Sequence, residues 1–189
     1  MKNIGLAITG SFCTHEKILE TIDKLKDKYN IIPIVTNSVK KTSTRFGKHD
    51  EFLKKLEEIT KNKVIKTIVE AEPLGPQNKI DVLVIAPCTG NTLAKLALGI
   101  TDNAVLMTAK AHQRNNKPIV VGISTNDALG LNLKNIATLL NSKNFFFVPF
   151  YQDSPQNKPK SLVANWELME ETIEKALLKE QIEPIFCKP

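Results

Sequence analysis

Strand-like and helix-like patterns alternate along this chain, which predicts an α/β fold. The expected form is a three-layer α/β/α sandwich with a Rossmann-like, mostly parallel sheet. Two further observations point the same way. Val82, Leu83, Val84, Ile85 and Ala86 form an unbroken apolar run, the pattern of a strand covered on both faces. Small and hydroxyl residues collect where four predicted strands end, at Thr9–Ser11, Thr36–Ser38, Cys88–Thr92 and Ser124–Asp127. Open α/β sheets bind ligands at the carboxyl ends of their strands, so these clusters are expected to share one rim and one pocket.

The first predicted strand is Asn3–Thr9. Gly10 after it lets a ligand approach the backbone, and Ser11 offers a hydroxyl. Phe12 and Thr14 stand where a G-x-G-x-x-G motif has small residues, so a dinucleotide fingerprint is absent. Thr14 is expected to cap a helix with Ile18, Ile22, Leu25 and Tyr29 on its apolar face. Ile31–Thr36 is the second strand, and Pro33 inside it argues for a sheet edge or a bulge. Lys40–Lys48 is a basic loop containing Arg45, Phe46 and Gly47. The helix after it carries Phe52, Leu56 and Ile59 on one face. Val64–Val69 reads as a third strand and Glu70–Lys79 as a loop into the central one. Pro87 is expected to stop the central strand, and a helix with Leu93, Leu96, Ala97 and Ile100 follows the turn. Asn91 in that turn either touches a ligand or caps the helix.

Ala104–Thr108 reads as a fifth strand. Lys110, His112 and Arg114 then alternate; alternate positions do not share a helix face, so a loop or short turn is expected to gather them on one anion. His112 is a candidate acid or base near neutral pH, set against the plainer reading of a structural histidine. Pro118–Ile123 is a buried strand, Leu131–Leu140 a helix and Asn144–Pro149 a short aromatic strand. The Pro-, Asn- and Gln-rich stretch at 150–161 reads as a loop or arm. A last helix at 165–179, capped by Asn165, buries Trp166, Met169, Ile173 and Leu177, and Gln181–Pro189 reads as a tail, loose at its end. All 189 residues are expected to form one domain.

The net charge of +6 raises nucleic acid as a partner, but the lysines are scattered and no nucleic-acid motif is present. Only two of the 26 basic residues are arginine, Arg45 and Arg114. The arginine fork suits a carboxylate or phosphate that lysine meets only as a point charge. The three cysteines, Cys13, Cys88 and Cys187, suggest neither a disulfide framework nor a metal cluster. With no membrane-length apolar run and no signal-peptide pattern at its start, the chain is expected to be cytoplasmic.

Ala86-Pro87-Cys88-Thr89-Gly90-Asn91-Thr92-Leu93-Ala94-Lys95, followed by Gly99-Ile100-Thr101-Asp102-Asn103, resembles the A-P-x-x-x-N-T-x-x-K…G-x-x-D-N signature of the flavin-binding phosphopantothenoylcysteine decarboxylase family. That family includes the flavin prenyltransferases and the lantibiotic peptide decarboxylases. Leu6–Thr14, Thr44–Gly47, Ile68–Gly75, Ala109–Asn116 and Ser124–Asp127 are similar to one branch of it, the dipicolinate-forming branch of sporulating bacteria. The resemblance implies FMN held by Gly10, Ser11, Phe12, Ser38, Ala86, Pro87, Cys88, Thr89, Asn91, Thr92 and Ser124. It implies a trimer-based homo-oligomer in the mother-cell cytoplasm, and a dehydrogenase-like A subunit carrying NADP as partner. Together the two would oxidise a hydroxylated tetrahydrodipicolinate to dipicolinate, a small dicarboxylate for which Arg45, Arg114 and Lys110 would serve as clamps. The chain departs from the decarboxylases in two places. Glu72-Pro73-Leu74 stands where they keep a histidine, and Ala109–Asn116 replaces their P-x-M-N-x-x-M-W substrate grip. Both departures weigh against the alternative of a stand-alone FMN-dependent decarboxylase or prenyltransferase. A non-catalytic assembly subunit is the third reading.

Overall fold

The computed structural model describes residues 1–188. Five parallel strands frame it: β1 (Lys2–Ile8), β2 (Tyr29–Val35), β3 (Val82–Cys88), β4 (Ile119–Thr125) and β5 (Phe145–Phe147). Two short antiparallel strands, β6 (Phe150–Tyr151) and β7 (Leu162–Ala164), complete a seven-stranded sheet. The order is β2–β1–β3–β4–β7–β6, with β5 also on β4. The helices are α1 (His15–Leu25), α2 (Asn37–Lys41), α3 (His49–Thr60), α4 (Ile68–Ala71), α5 (Gly90–Ala97), α6 (Ala104–Arg114), α7 (Leu133–Leu140) and α8 (Met169–Leu177). The three-layer, mostly parallel, Rossmann-like sandwich is therefore present.

Successive side chains of a strand point to opposite faces, and β3 is buried throughout, so it feeds both layers. Val82, Val84 and Ala86 join Ile18 and Ile22 of α1, Leu53 and Leu56 of α3, and Met169 and Ile173 of α8. Leu83, Ile85 and Cys88 join Leu93 and Leu96 of α5, Leu106 and Ala109 of α6, and Ile136 and Leu139 of α7. Pro33 sits in β2 at the end of the sheet, as its missing N–H requires.

Several elements differ from the sequence reading. Val64–Val69 is not a strand. Ile65 makes one isolated bridge to Ile34, and then Thr67 and Glu70 form a reciprocal capping box that starts α4. Ala104–Thr108 is the first half of a helix. The Asn103 side chain accepts from the Leu106 N–H at 3.1 Å, and the buried positions 104, 105, 108, 109 and 112 repeat at helical spacing. Lys110, His112 and Arg114 consequently lie on α6, not in a loop. Pro87 does not stop β3, which runs to Cys88 across a register shift after Ile85. Tyr29 belongs to β2, and Ile100 lies past the end of α5. Thr14 stands at the cap position of α1, but its hydroxyl is spent elsewhere.

Residues 150–161 hold one strand, and β7 follows directly, alongside Ser124 and Thr125. The connecting arm packs on the loop after β4, where Leu129 N donates to Lys160 O at 2.9 Å. The tail is stitched down as far as Cys187. Phe150 N donates to Ile185 O, and Cys187 N to Phe150 O. The Gln181 side chain accepts from Phe147 N and donates to Phe147 O and Ile182 O, each at 2.8–2.9 Å. Gln181→Ala strands two backbone groups of the partly buried edge of β5 and is expected to cost about 1–3 kcal/mol. Urea unfolding would measure it, and an unchanged midpoint would show that the tail carries no stability.

Candidate functional site

The chain passes from β1 to β2 on one side and then places β3 on the other side of β1. The carboxyl ends of β1 and β3 therefore bound a switch-point crevice, the position at which open α/β sheets bind ligands. Thr9 closes its floor. Its buried hydroxyl donates to Pro87 O at 2.6 Å and accepts from Thr89 N at 3.0 Å. Three hydroxyls join the next loop across the crevice. Ser11 Oγ and Thr14 Oγ1 each lie 2.8 Å from Ser124 Oγ at the end of β4. The Thr14 hydroxyl is thus committed to the rim and not to its own helix.

On the other side of β1, Gly10 leaves space where a Cβ would stand 3.7 Å from Ser38 Cβ and 3.6 Å from the Phe12 ring. Ser38 is exposed on the first turn of α2. Thr36, just past the end of β2 with its N–H on Ile8 O, buries a hydroxyl that finds no partner among the described residues. At the start of α5, Thr89 accepts from Thr92 N at 3.3 Å and is the cap, while Asn91 lies exposed and does not cap. Ala86, Pro87 and Cys88 are buried in β3. Burial pushes the Cys88 thiol far above its ordinary range, so it is inert packing. Gly90 lies beneath a polar ladder. Thr125 Oγ1 donates to Asp127 Oδ1, Asn132 Nδ2 to Asp127 Oδ2 and Asn135 Nδ2 to Asn132 Oδ1, all at 2.7–2.8 Å.

The four predicted clusters thus share the carboxyl rim, and Ser11 and Ser124 touch. The cations do not gather there as a group. Arg45 is on the rim, its guanidinium 4.9 Å from the centre of the exposed Phe46 ring. Arg114 packs against Gly75 and is followed by Asn115, whose side chain donates to Gly75 O. Lys117 reaches Ile80 O just ahead of β3. This end of α6 therefore stands at the amino edge, a strand length of roughly 20 Å from the rim. Lys110 is exposed on the same helix. His112 is buried with Nε2 unpartnered, and burial followed by the Lys117 charge holds its pKa down at about 4.

His15 is a rim residue that the sequence reading passed over. Its Nε2 lies 2.8 Å from Thr9 O and its ring stacks on Phe52 at 4.4 Å and 21°. Burial lowers its pKa, so the ring is neutral at neutral pH. The available signal was spacing: His15 falls on the same helical face as Ile18, Ile22 and Leu25 while standing just past a strand end.

The rim fits a phosphate-bearing flavin in its chemistry. Thr36 offers an unsatisfied buried hydroxyl, Gly10 an open approach to backbone, and Ser11 and Ser38 further hydroxyls. No helix among the described residues is long and apolar enough to cross a membrane.

A family model described as Flavoprotein matches residues 1–177. The B subunit of dipicolinate synthase from Bacillus subtilis (strain 168) is 52% identical over 188 residues, 99% of this chain and 94% of the relative. The crystal structure of the corresponding B subunit from Bacillus halodurans C matches with a TM-score of 0.91 at 47% identity, covering 99% of this chain and 96% of that one. The FMN-dependent cysteine decarboxylase SpaF matches with a TM-score of 0.69 at 19% identity over 95% of this chain and 97% of its own, a likeness of fold alone.

Proposed function

Because this chain belongs to the flavoprotein family, we propose that its carboxyl rim is a working FMN site and that the protein acts as the B subunit of a dipicolinate synthase. The observation that supports the reading most is the 52% identity to the Bacillus subtilis relative over nearly the whole of both chains. Its partner is the dehydrogenase-like A subunit of dipicolinate synthase, which binds NADP, in keeping with the absence of a dinucleotide fingerprint after β1. The substrate is a hydroxylated tetrahydrodipicolinate. Loss of its hydroxyl as water, then transfer of one hydride to NADP on the partner and release of one proton, gives the aromatic dicarboxylate. The site of action is the mother-cell cytoplasm during sporulation, and the assembly is built on homotrimers.

Gly10, Ser11, Thr36 and Ser38 would hold the flavin phosphate side, with Thr89, Asn91, Thr92 and Ser124 along the crevice. Bound FMN would supply a two-electron acceptor. The protein's own groups do the positioning: Thr9 ties β1 to β3, and Ser124 ties β4 to the Ser11 loop. Arg45 is the rim's carboxylate-binding cation.

The test is to express the chain with and without its dehydrogenase-like partner, look for flavin absorbance, and assay dipicolinate formation for each protein singly and for the pair. Full turnover is expected only with both, and FMN is expected to co-purify with this chain. Full turnover by the partner alone would reduce this chain to an assembly role. A yellow protein that decarboxylates an acyl-cysteine unaided would make it a stand-alone decarboxylase.

A further inference from the structure

We propose that the aromatic cavity between the starts of α1 and α3 seats a flat ring carboxylate, the ring resting among Phe12, His15 and Phe46 with a carboxylate at Arg45. This rests on the reading above that the substrate is a ring dicarboxylate, and it gives that ring a place distinct from the flavin crevice.

The cavity encloses about 240 Å³ and is walled by Phe12, His15, Phe46 and Phe52. Pockets for drug-sized ligands run from about 300 Å³ upward, so this one suits a single substituted ring. Phe145, Phe146, Phe147 and Phe150 are all buried core residues, whereas at this cavity Phe12 and Phe52 are half-buried and Phe46 is exposed. Phe46 is 56% exposed, an expensive place for a large apolar ring. It is held there by construction. Thr44 and Gly47 exchange both backbone hydrogen bonds, and Phe46 N donates to Thr44 Oγ1 at 3.1 Å. Gly47 takes a φ of 142°, which only glycine adopts readily. The turn thus presents an aromatic ring to the cavity and sets Arg45 against that ring, 4.9 Å from its centre.

The charges fit an anion. Lys48 and Lys55 line the cavity against Glu16 and Glu51, and Lys48 lies 3.8 Å from Glu51. These four lining charges balance, and Arg45, outside the lining but packed on the Phe46 ring, adds one positive charge beside the cavity. His15 adds direction. A carbonyl only accepts, so the ring nitrogen facing Thr9 O must be Nε2–H, which leaves Nδ1 as the uncommitted acceptor of the neutral imidazole. That atom would receive the hydroxyl or ring N–H of a partly saturated substrate. Phe12 is the shared wall, since the same ring stands 3.6 Å from where a Gly10 Cβ would be. Substrate ring and flavin would thus lie on either side of one aromatic side chain.

The experiment is calorimetric titration of the full chain, with and without FMN, using pyridine-2,6-dicarboxylate and its aliphatic analogue heptanedioate. The ring compound is expected to bind and the aliphatic one to bind about tenfold more weakly. Arg45→Gln and Phe46→Ala, both at exposed positions, are each expected to weaken the ring compound about tenfold while leaving thermal stability unchanged. If the ring compound binds both variants as tightly as the native protein, the cavity is not its seat, although the dicarboxylate reading survives. If FMN displaces it competitively, the cavity belongs to the flavin and the proposal fails. If it binds neither this chain nor its complex with the dehydrogenase-like partner, the ring-dicarboxylate reading falls together with the proposal.

Discussion

Gly90→Ala is expected to destabilise the protein by about 2–3 kcal/mol, lowering its melting temperature by roughly 5–10 °C, and to reduce flavin uptake. An added Cβ would stand 2.4 Å from Asn132 Nδ2, 2.6 Å from Asp127 Oδ1 and 3.0 Å from Thr125 Oγ1. None of these atoms is a free side-chain end. Asn132 is buried and holds both Asp127 and Asn135, and Asp127 holds Thr125. The clash must break this ladder or push the first turn of α5 outward, and that turn carries Asn91 and Thr92 on the rim. Asn132→Ala removes the closest atom, so the double variant should recover part of the loss. Calorimetric melting of the two single variants and the double would decide it. A Gly90→Ala protein as stable as the native one would show that the ladder yields freely and does not position α5.

The need for a glycine at position 90 is set by residues distant in the chain. The turn Cys88–Thr92 is legible because its apolar strand and capped helix are local patterns. That a glycine is needed there depends on Asp127 and Asn132, some forty residues along the chain. The same division runs through the fold. β3 and the hydroxyl clusters at strand ends follow from short-range pattern and composition. The four-residue apolar run Ala104–Met107, closed by Thr108, does not distinguish strand from helix; the Asn103 cap, and the lack of a partner strand among the described residues, decide it. β6 and β7 have two and three residues, too few to show any period, and they exist because the end of β4 offers an edge. Moving 104–108 from strand to helix also moves the cations. Lys110, His112 and Arg114 leave the rim, and Arg45 alone of the predicted clamps stays on it. His15 shows the opposite error, a polar residue on an apolar helical face that sequence alone does not single out, although Thr9 O stands beside it.

Acid should unfold this protein earlier than its carboxylates alone would dictate, and His112 supplies the reason. The imidazole is buried on α6, with Lys117 and Lys179 opposing its charged form and Asp81 favouring it. Burial dominates, and the folded-state pKa is about 4 against 6.5 for an ordinary histidine. The unfolded chain therefore binds a proton between these values that the folded chain refuses. Stability from this group is whole above pH 6.5 and falls as pH drops toward 4, by on the order of 2–3 kcal/mol at pH 4.5. His15 shifts in the same direction, so the native protein alone would not isolate the effect. His112→Gln does, because it keeps a polar side chain and removes the titration. Urea unfolding at pH 7 and pH 4.5 should show a smaller acid loss for the variant than for the native protein, by most of that amount. Equal losses would mean that His112 is solvated in the folded state and that its unpartnered Nε2 carries no penalty. The effect is one of stability and not of catalysis: a histidine that stays neutral at the amino edge, a strand length from the rim, is core packing with a pH limit.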